Sequence, residues 1–468
     1  MRSRLRSIVK SQVFQVTTAA AVPSIVITGL FTTGVVGGAV KASIQGSGNA
    51  SSAVLVRGES PSNPNAAFGH WVGVWAAAPQ LTEPSNMPPA PFTNGNLVFA
   101  DSTVRQSIHV TVGGRFIRLR FSNAYGGADL PITSISVARP AGGAAGVSAI
   151  DPATSRTVTF DGRTAIRIPV GAQMVSDPLD FPVATNSNLT VTIYLSAGQA
   201  SSAITSHPGS RTSTYMLAGN HLNDADLPGA ASVAHWYFLS GLEALEPGNT
   251  AAIDVVGDSL SDGRGSTTNG DDKWTDQLFN RLQSHPSTRS VTVLNQGLGG
   301  NRILNDGLGP NVLARFDRDV LAQTGTRWLI VWEGVNDIGT APATEADQKQ
   351  VAADIIAAYQ QIITRAHAAG ISVYGATITP FGGNTGYDDP TGFRAEARQT
   401  VNTWIRTSHQ FDAVLDFDAA VRDPANPRQI NPIYDVGDHL HMTPAGYGQV
   451  AASIPFDLFQ LDPSAGAA

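Results

Sequence analysis

The sequence has no cysteine in 468 residues. That excludes disulfides, thiolate metal sites, a cysteine nucleophile and a lipid-bearing cysteine, and it leaves the redox compartment open. Charge is also scarce: Asp, Glu, Lys and Arg make up 14% of the chain, against 42% hydrophobic residues. Disordered chains have the opposite balance, so this composition suits a secreted globular protein. Net charge is −7 and no basic run stands out beyond the N-terminus, which gives nucleic-acid binding no support. There is no H-E-x-x-H and no P-loop. The G-x-S-x-G elbow is missing too, because Ser261 stands where its second glycine would fall.

The N-terminus is the first positive signal. Arg2, Arg4, Arg6 and Lys10 precede an uncharged stretch, Ser11 to Val40, rich in Val, Ala, Ile and Gly. Residues 1–42 read as a signal peptide ending near Val40-Lys41-Ala42, or as an uncleaved membrane anchor, since ~20 apolar residues span a bilayer. Either reading makes the protein exported: secreted or extracytoplasmic, with a membrane tether if the segment is kept. There is no twin arginine. Residues 43–68 are rich in Ser, Gly, Asn and Ala and read as a flexible linker.

The remaining length is enough for two domains. Residues 69–245 carry a β pattern. Ser107 to Val112 alternates, and Ile117, Leu119 and Phe121 alternate with Phe116, Arg118 and Arg120. Gly113-Gly114 between them reads as a two-residue hairpin turn. Further strands are expected at Thr157–Phe160, Ala165–Ile168, Leu189–Leu195 and Ala234–Leu242. Short strands separated by turn residues predict an all-β sandwich, jelly-roll-like. Residues 250–462 switch to alternating strand and helix, with a short tail at 463–468. Strands are expected at Ile253–Val256, Val291–Leu294, Trp328–Trp332, Ser372–Ile378 and Ala413–Phe417. Helices are expected at Lys273–Gln283, capped by Asp271 or Asp272, and at Glu345–Ala369 after Thr344. Two more are expected at Phe393–Ser408 and from Thr443-Pro444 to about Phe459. This alternation predicts an α/β domain with a parallel sheet and helices on both faces.

Four stretches carry chemistry, and the first three follow strands. Gly257-Asp258-Ser259-Leu260 ends the first, and a serine there is a candidate nucleophile. Asn295-Gln296-Gly297-Leu298-Gly299-Gly300-Asn301 ends the second, and Gly334-Val335-Asn336-Asp337 the third. Asp438-His439-Leu440-His441 precedes the last helix. Serine needs a base, and His441 supplies one, with Asp438 placed to orient it across a turn. Asp258 and Asp337 suit supporting hydrogen bonds beside the site better than an acid/base pair or metal ligands. His439 and His441, two apart, point to one side of an extended chain and permit a metal-binding alternative.

The four blocks, in this order, resemble those of the SGNH hydrolases, the GDSL esterase and lipase superfamily. The resemblance implies a flavodoxin-like three-layer α/β/α fold. It also implies a triad of Ser259, Asp438 and His441, with oxyanion donors at the Ser259 N–H, the Gly300 N–H and the Asn336 amide. Trp71–Pro79 and Arg118–Tyr125 resemble, more loosely, the N-terminal β-domain of some bacterial two-domain members. The implied activity is hydrolysis of an O-acyl ester through an acyl-enzyme, without cofactor or metal, on an acylated carbohydrate or a short-chain lipid ester. Two alternatives are an acyltransferase acting on a cell-surface glycan with the same triad and a glycan-binding protein with residual esterase activity. Trp274, Trp332, Phe381 and Tyr447 lie near the motifs, where they line an acyl pocket or belong to the core. His207, the nearest β-domain candidate for chemistry, reads as a loop histidine.

Overall fold

The apolar run at Ile253–Val256 has no polar alternation, and a strand without alternation must be covered on both faces. In the computed structural model, which describes residues 69–461, it lies in the strand Ala251–Gly257, buried throughout. The expectations for residues 1–68 and for the tail fall outside the described residues. Ala251–Gly257 pairs in parallel with Val291–Gly297 on one side and Thr326–Trp332 on the other. Ser372–Ala376 and Ala413–Leu415 extend the sheet beyond Thr326–Trp332. Numbered along the chain, the strand order is 2-1-3-4-5, the flavodoxin-like order. Helix Trp274–Gln283 packs on Pro444–Ala452, and Glu345–Ala368 packs on Phe393–Thr407. The crossovers from the first and third strands run in opposite directions, so right-handed connections put these two pairs on opposite faces.

The helix ends follow local chemistry. Thr344 caps Glu345–Ala368 by accepting from the Asp347 N–H, and Gly370 (φ +73°) follows its end. The helix expected after Asp271 and Asp272 uses another carboxylate: Asp276 accepts from the Lys273 N–H at 3.1 Å, while Asp272 accepts from Thr267 N. The last helix stops at Ala452, and a 3₁₀ turn, Phe456–Phe459, follows.

The β part forms two large antiparallel sheets. The five-stranded one runs His70–Ala76, Leu239–Glu246, Gly114–Ser122 and Gln173–Val175, with Leu179–Val183 also on Gly114–Ser122. The six-stranded one is centred on Ser102–Val110 and Ser187–Leu195. Ile117, Leu119 and Phe121 are buried as their alternation requires, while Arg118 and Arg120 lie on the other face of the strand and pair with the buried Glu243. The hairpin expected at Gly113-Gly114 does not form. Ser102–Val110 and Gly114–Ser122 belong to different sheets, and the glycines carry the chain between them. Space requires the glycine at 113, since a Cβ there would lie 2.2 Å from the Val183 carbonyl oxygen. The strand expected at Ala234–Leu242 breaks at Phe238, whose φ is +63°. Its first part, His235–Tyr237, joins a three-stranded sheet with Thr205–Pro208 and Gln80–Leu81.

The two parts of the chain share buried surface. Val72 and Ala76 pack with Ala252 and Leu294 of the parallel sheet. Gly73 N donates to the Thr324 carbonyl at 2.9 Å, and the Gly73 carbonyl accepts from the Thr292 hydroxyl at 2.7 Å. A Cβ at Gly73 would lie 2.8 Å from the Leu294 methyl. All described residues fall in one compact unit. A chain beginning at Thr250 would expose this surface, so it is expected to be insoluble or to melt well below the full chain. Unchanged melting temperature and unchanged ester preference in the shortened chain would contradict this shared core.

Candidate active site

Ser259 follows the central strand directly. Gly257 lets the chain turn, because a Cβ there would lie 2.2 Å from the Ser261 hydroxyl. The turn continues into a single helical turn, Ser259–Asp262, capped by Asp258, whose Oδ1 accepts from the Leu260 N–H at 2.9 Å. Ser259 is 8% exposed, with its hydroxyl 2.8 Å from His441 Nε2. The loop before the last helix presents that imidazole. Asp438 Oδ1 accepts from the N–H groups of Leu440 and His441, and its Oδ2 accepts from His441 Nδ1 at 2.6 Å. Serine, imidazole and carboxylate thus form one hydrogen-bonded line.

His439 leaves this line. Its φ is +59°, so the segment is not extended and the two imidazoles do not share a side. Its Nδ1 pairs with Asp435 at 2.7 Å. Among the described residues, no group of three or more His, Cys, Asp or Glu side chains is arranged to hold a metal ion.

The surroundings of His441, burial above all, favour its neutral form. Burial lowers its pKa most, Asp438 pulls it back up, and Arg264 and Arg211 push it down. The net shift is below the ordinary histidine value. Burial also opposes ionisation of Asp438, but the His441 N–H, the imidazole and the Leu440 N–H outweigh it and hold the carboxyl below its usual range.

Asn336 and Gly300 come to the same place from the neighbouring strand ends. Gly300 has φ +72°, a conformation that glycine adopts without strain. Asn336 opens its helix after Gly334, and its Nδ2 donates to the Asn301 carbonyl at 2.8 Å. Its Oδ1 accepts from the Tyr387 hydroxyl. Asp337 accepts from the N–H groups of Ile303 and Leu304, which ties the second block to the third. Burial pushes Asp258 up to about 7 and Asp337 up to about 6. Asp258 and Asp337 both make supporting hydrogen bonds to backbone.

A cleft of about 520 Å³ opens over Ser259, His441, Gly299, Gly300 and Asn336. Its opposite wall comes from the β part: Gln80, Glu83, Asn86, Arg211 and His235. The three-stranded sheet brings these segments together. His207, expected in a loop, sits in that sheet and is buried. Its Nδ1 bonds to the Ala78 carbonyl at 2.9 Å and its Nε2 to Asp262 at 3.0 Å, at the end of the Ser259 helical turn. Trp274, Trp332, Phe381 and Tyr447 are all core residues, at 2% exposure or less, and none lines the cleft. The apolar lining is instead Leu308, Leu440 and Pro208, with Tyr387.

Residues 255–449 match the family model described as GDSL-like lipase/acylhydrolase. The chain carries a GDSL-like lipase/acylhydrolase domain. This match supports, for residues 255–449, a hydrolase that acts on esters. No curated protein matches the chain. Among solved structures, a GDSL-like lipase from Bacteroides thetaiotaomicron is 16% identical, covering 43% of this chain and 84% of its own at a TM-score of 0.31. An acetyl xylan esterase from Geobacillus stearothermophilus is 18% identical, covering 46% of this chain and 99% of its own at a TM-score of 0.34.

The electrostatics give a test. His441 is expected to titrate below the ordinary histidine value of about 6.5. Arg264→Gln removes a positive charge that disfavours the imidazolium, so it should raise that midpoint. Chemical shifts of ¹³C-labelled histidine, assigned with His441→Gln, measure both. A midpoint above the ordinary value in the native chain, or a fall in Arg264→Gln, would contradict this electrostatic picture.

Proposed function

We propose that the chain is an exported serine ester hydrolase that works through an acyl-enzyme. The observation that carries this reading is the hydrogen-bonded line Ser259–His441–Asp438 opening onto the cleft. Ser259 Oγ attacks the ester carbonyl carbon while His441 Nε2 takes its proton. Asp438 holds the ring and stabilises the imidazolium. The carbonyl oxygen becomes an oxyanion facing the Ser259 N–H, the Gly300 N–H and the Asn336 amide. Collapse expels the alcohol, which takes the proton from His441. Water, deprotonated by His441, then attacks the acyl group; the bond to Ser259 Oγ breaks, His441 returns the proton to that oxygen, and the carboxylic acid leaves. The basic, then uncharged, start of the sequence supports export.

The cleft lining supports a substrate class. A long acyl chain needs an extended apolar channel, and the apolar side chains of the cleft are few: Leu308, Leu440, Pro208 and the Tyr387 ring. The facing wall offers an amide at Gln80, a carboxylate at Glu83, an amide at Asn86, a guanidinium at Arg211 and an imidazole at His235. Closely spaced donors and acceptors suit a hydroxyl-rich alcohol, so the reading is a short O-acyl ester of a carbohydrate. An acyltransferase would use the same residues, and added alcohol acceptors separate the two by product.

Ser259→Ala should abolish hydrolysis of p-nitrophenyl acetate with the melting temperature kept, and a fluorophosphonate should label the native chain at Ser259. Rates should fall from acetate to longer esters. Full activity in Ser259→Ala, or labelling elsewhere, would remove the triad; a preference for long chains would remove the carbohydrate-ester reading.

A further inference from the structure

Both ends of the Asn336 side-chain amide are held. Nδ2 gives one hydrogen to the Asn301 carbonyl at 2.8 Å, which identifies Nδ2 as the nitrogen. Oδ1 therefore accepts the contact from Tyr387, and the phenol donates. The second Nδ2 hydrogen is left for the cleft, which both Asn336 and Tyr387 line. Burial pushes the phenol up to about 12, so it keeps its proton across the neutral range.

The segment carrying Tyr387 lies outside the four sequence blocks, yet it braces two of them. Asn384 Oδ1 accepts from the N–H groups of Gly386 and Tyr387 at 3.0 and 2.9 Å. Asn384 Nδ2 donates to the carbonyl of Asp438 at 2.7 Å. The Tyr387 ring is seated edge-on to Phe381 and against the helix that begins beside Asn336. Space for the ring depends on Gly339, because a Cβ there would come within 2.4 Å of it.

We propose that Tyr387 is a positioning residue for the oxyanion, acting through Asn336. The hydroxyl stops the amide from rocking out of line. It also draws electron density onto Oδ1, so the free Nδ2–H becomes a stronger donor. This rests on the reading of Asn336 as an oxyanion donor. Because Tyr387 stiffens a donor that strengthens in the transition state, its loss falls on kcat and spares KM.

The test uses the full chain with p-nitrophenyl acetate. Tyr387→Phe removes one oxygen and keeps the ring contacts. It should lower kcat about tenfold, the scale of one buried hydrogen bond, with KM within about twofold. Gly339→Ala keeps the hydroxyl but displaces the ring, and it should lower kcat in the same way. In an Asn336→Ala background, Tyr387→Phe should cost nothing further. An unchanged kcat in Tyr387→Phe, or an equal loss with and without Asn336, overturns the proposal while leaving the hydrolase reading standing. An unchanged kcat in Asn336→Ala overturns the oxyanion reading of Asn336 and the proposal with it. A native chain without any ester hydrolysis is instead a failure of the proposed function itself.

Discussion

The loops that meet at Ser259 are held in register by one buried guanidinium, that of Arg315. Its Nη1 donates to the Gln296 carbonyl at 2.7 Å, and its Nη2 points to the Gly257 carbonyl at 3.4 Å. These carbonyls end two adjacent parallel strands. Nε and Nη2 also fork onto Asn301 Oδ1 at 3.0 and 2.9 Å. Asn301 in turn offers its carbonyl to Asn336. A single charge thereby fixes the spacing between the serine turn, the Gly300 loop and the amide. Asp319, at 3.2 Å from Nη1, supplies the counter-charge and is itself held by Arg318, which reaches Tyr125 of the β part. Leaving one member of such a buried pair alone costs roughly 3–5 kcal/mol, so the arrangement tolerates little.

The β part is a structural partner of the site as well as its wall. Asp262 ends the helical turn that Ser259 begins, and its hydrogen-bonded partner is His207 of the small sheet. Its two ring nitrogens lie within hydrogen-bonding distance of the Ala78 carbonyl and Asp262, so the ring couples the Ala78 backbone to the serine turn. The same sheet sets Gln80 and His235 over the cleft. The serine turn and the cleft wall are therefore coupled through one element.

Much of this was legible in the sequence, for a physical reason. Parallel strands buried on both faces leave unbroken apolar runs, and polar residues that must meet a substrate fall at their ends. Ser259, Gly300 and Asn336 each follow such a run, and Asp438 and His441 precede a Thr-Pro helix start. The parts that were not legible depend on long-range contacts. Gly113-Gly114 has the composition of a hairpin turn, but its role is close approach to Val183 on the strand that pairs with Gly114–Ser122. Arg315 and Tyr387 carry no local signal, because an arginine in a short helix and a tyrosine in a loop read as surface residues. His207 read as a loop residue, since neither the strand beside it nor Asp262 is near in sequence. The four aromatic residues beside the motifs went to the core, where Trp274, Trp332 and Phe417 pack edge to face.

The proposed hydrolysis requires a covalent acyl group passing through Ser259. The direct measurement is mass spectrometry of the chain quenched in acid during turnover of a slowly released acyl ester. One acyl group on the peptide containing Ser259, absent when His441 is replaced by alanine, is the predicted result. Turnover at full rate with no acyl adduct, or an adduct on another residue, would contradict it.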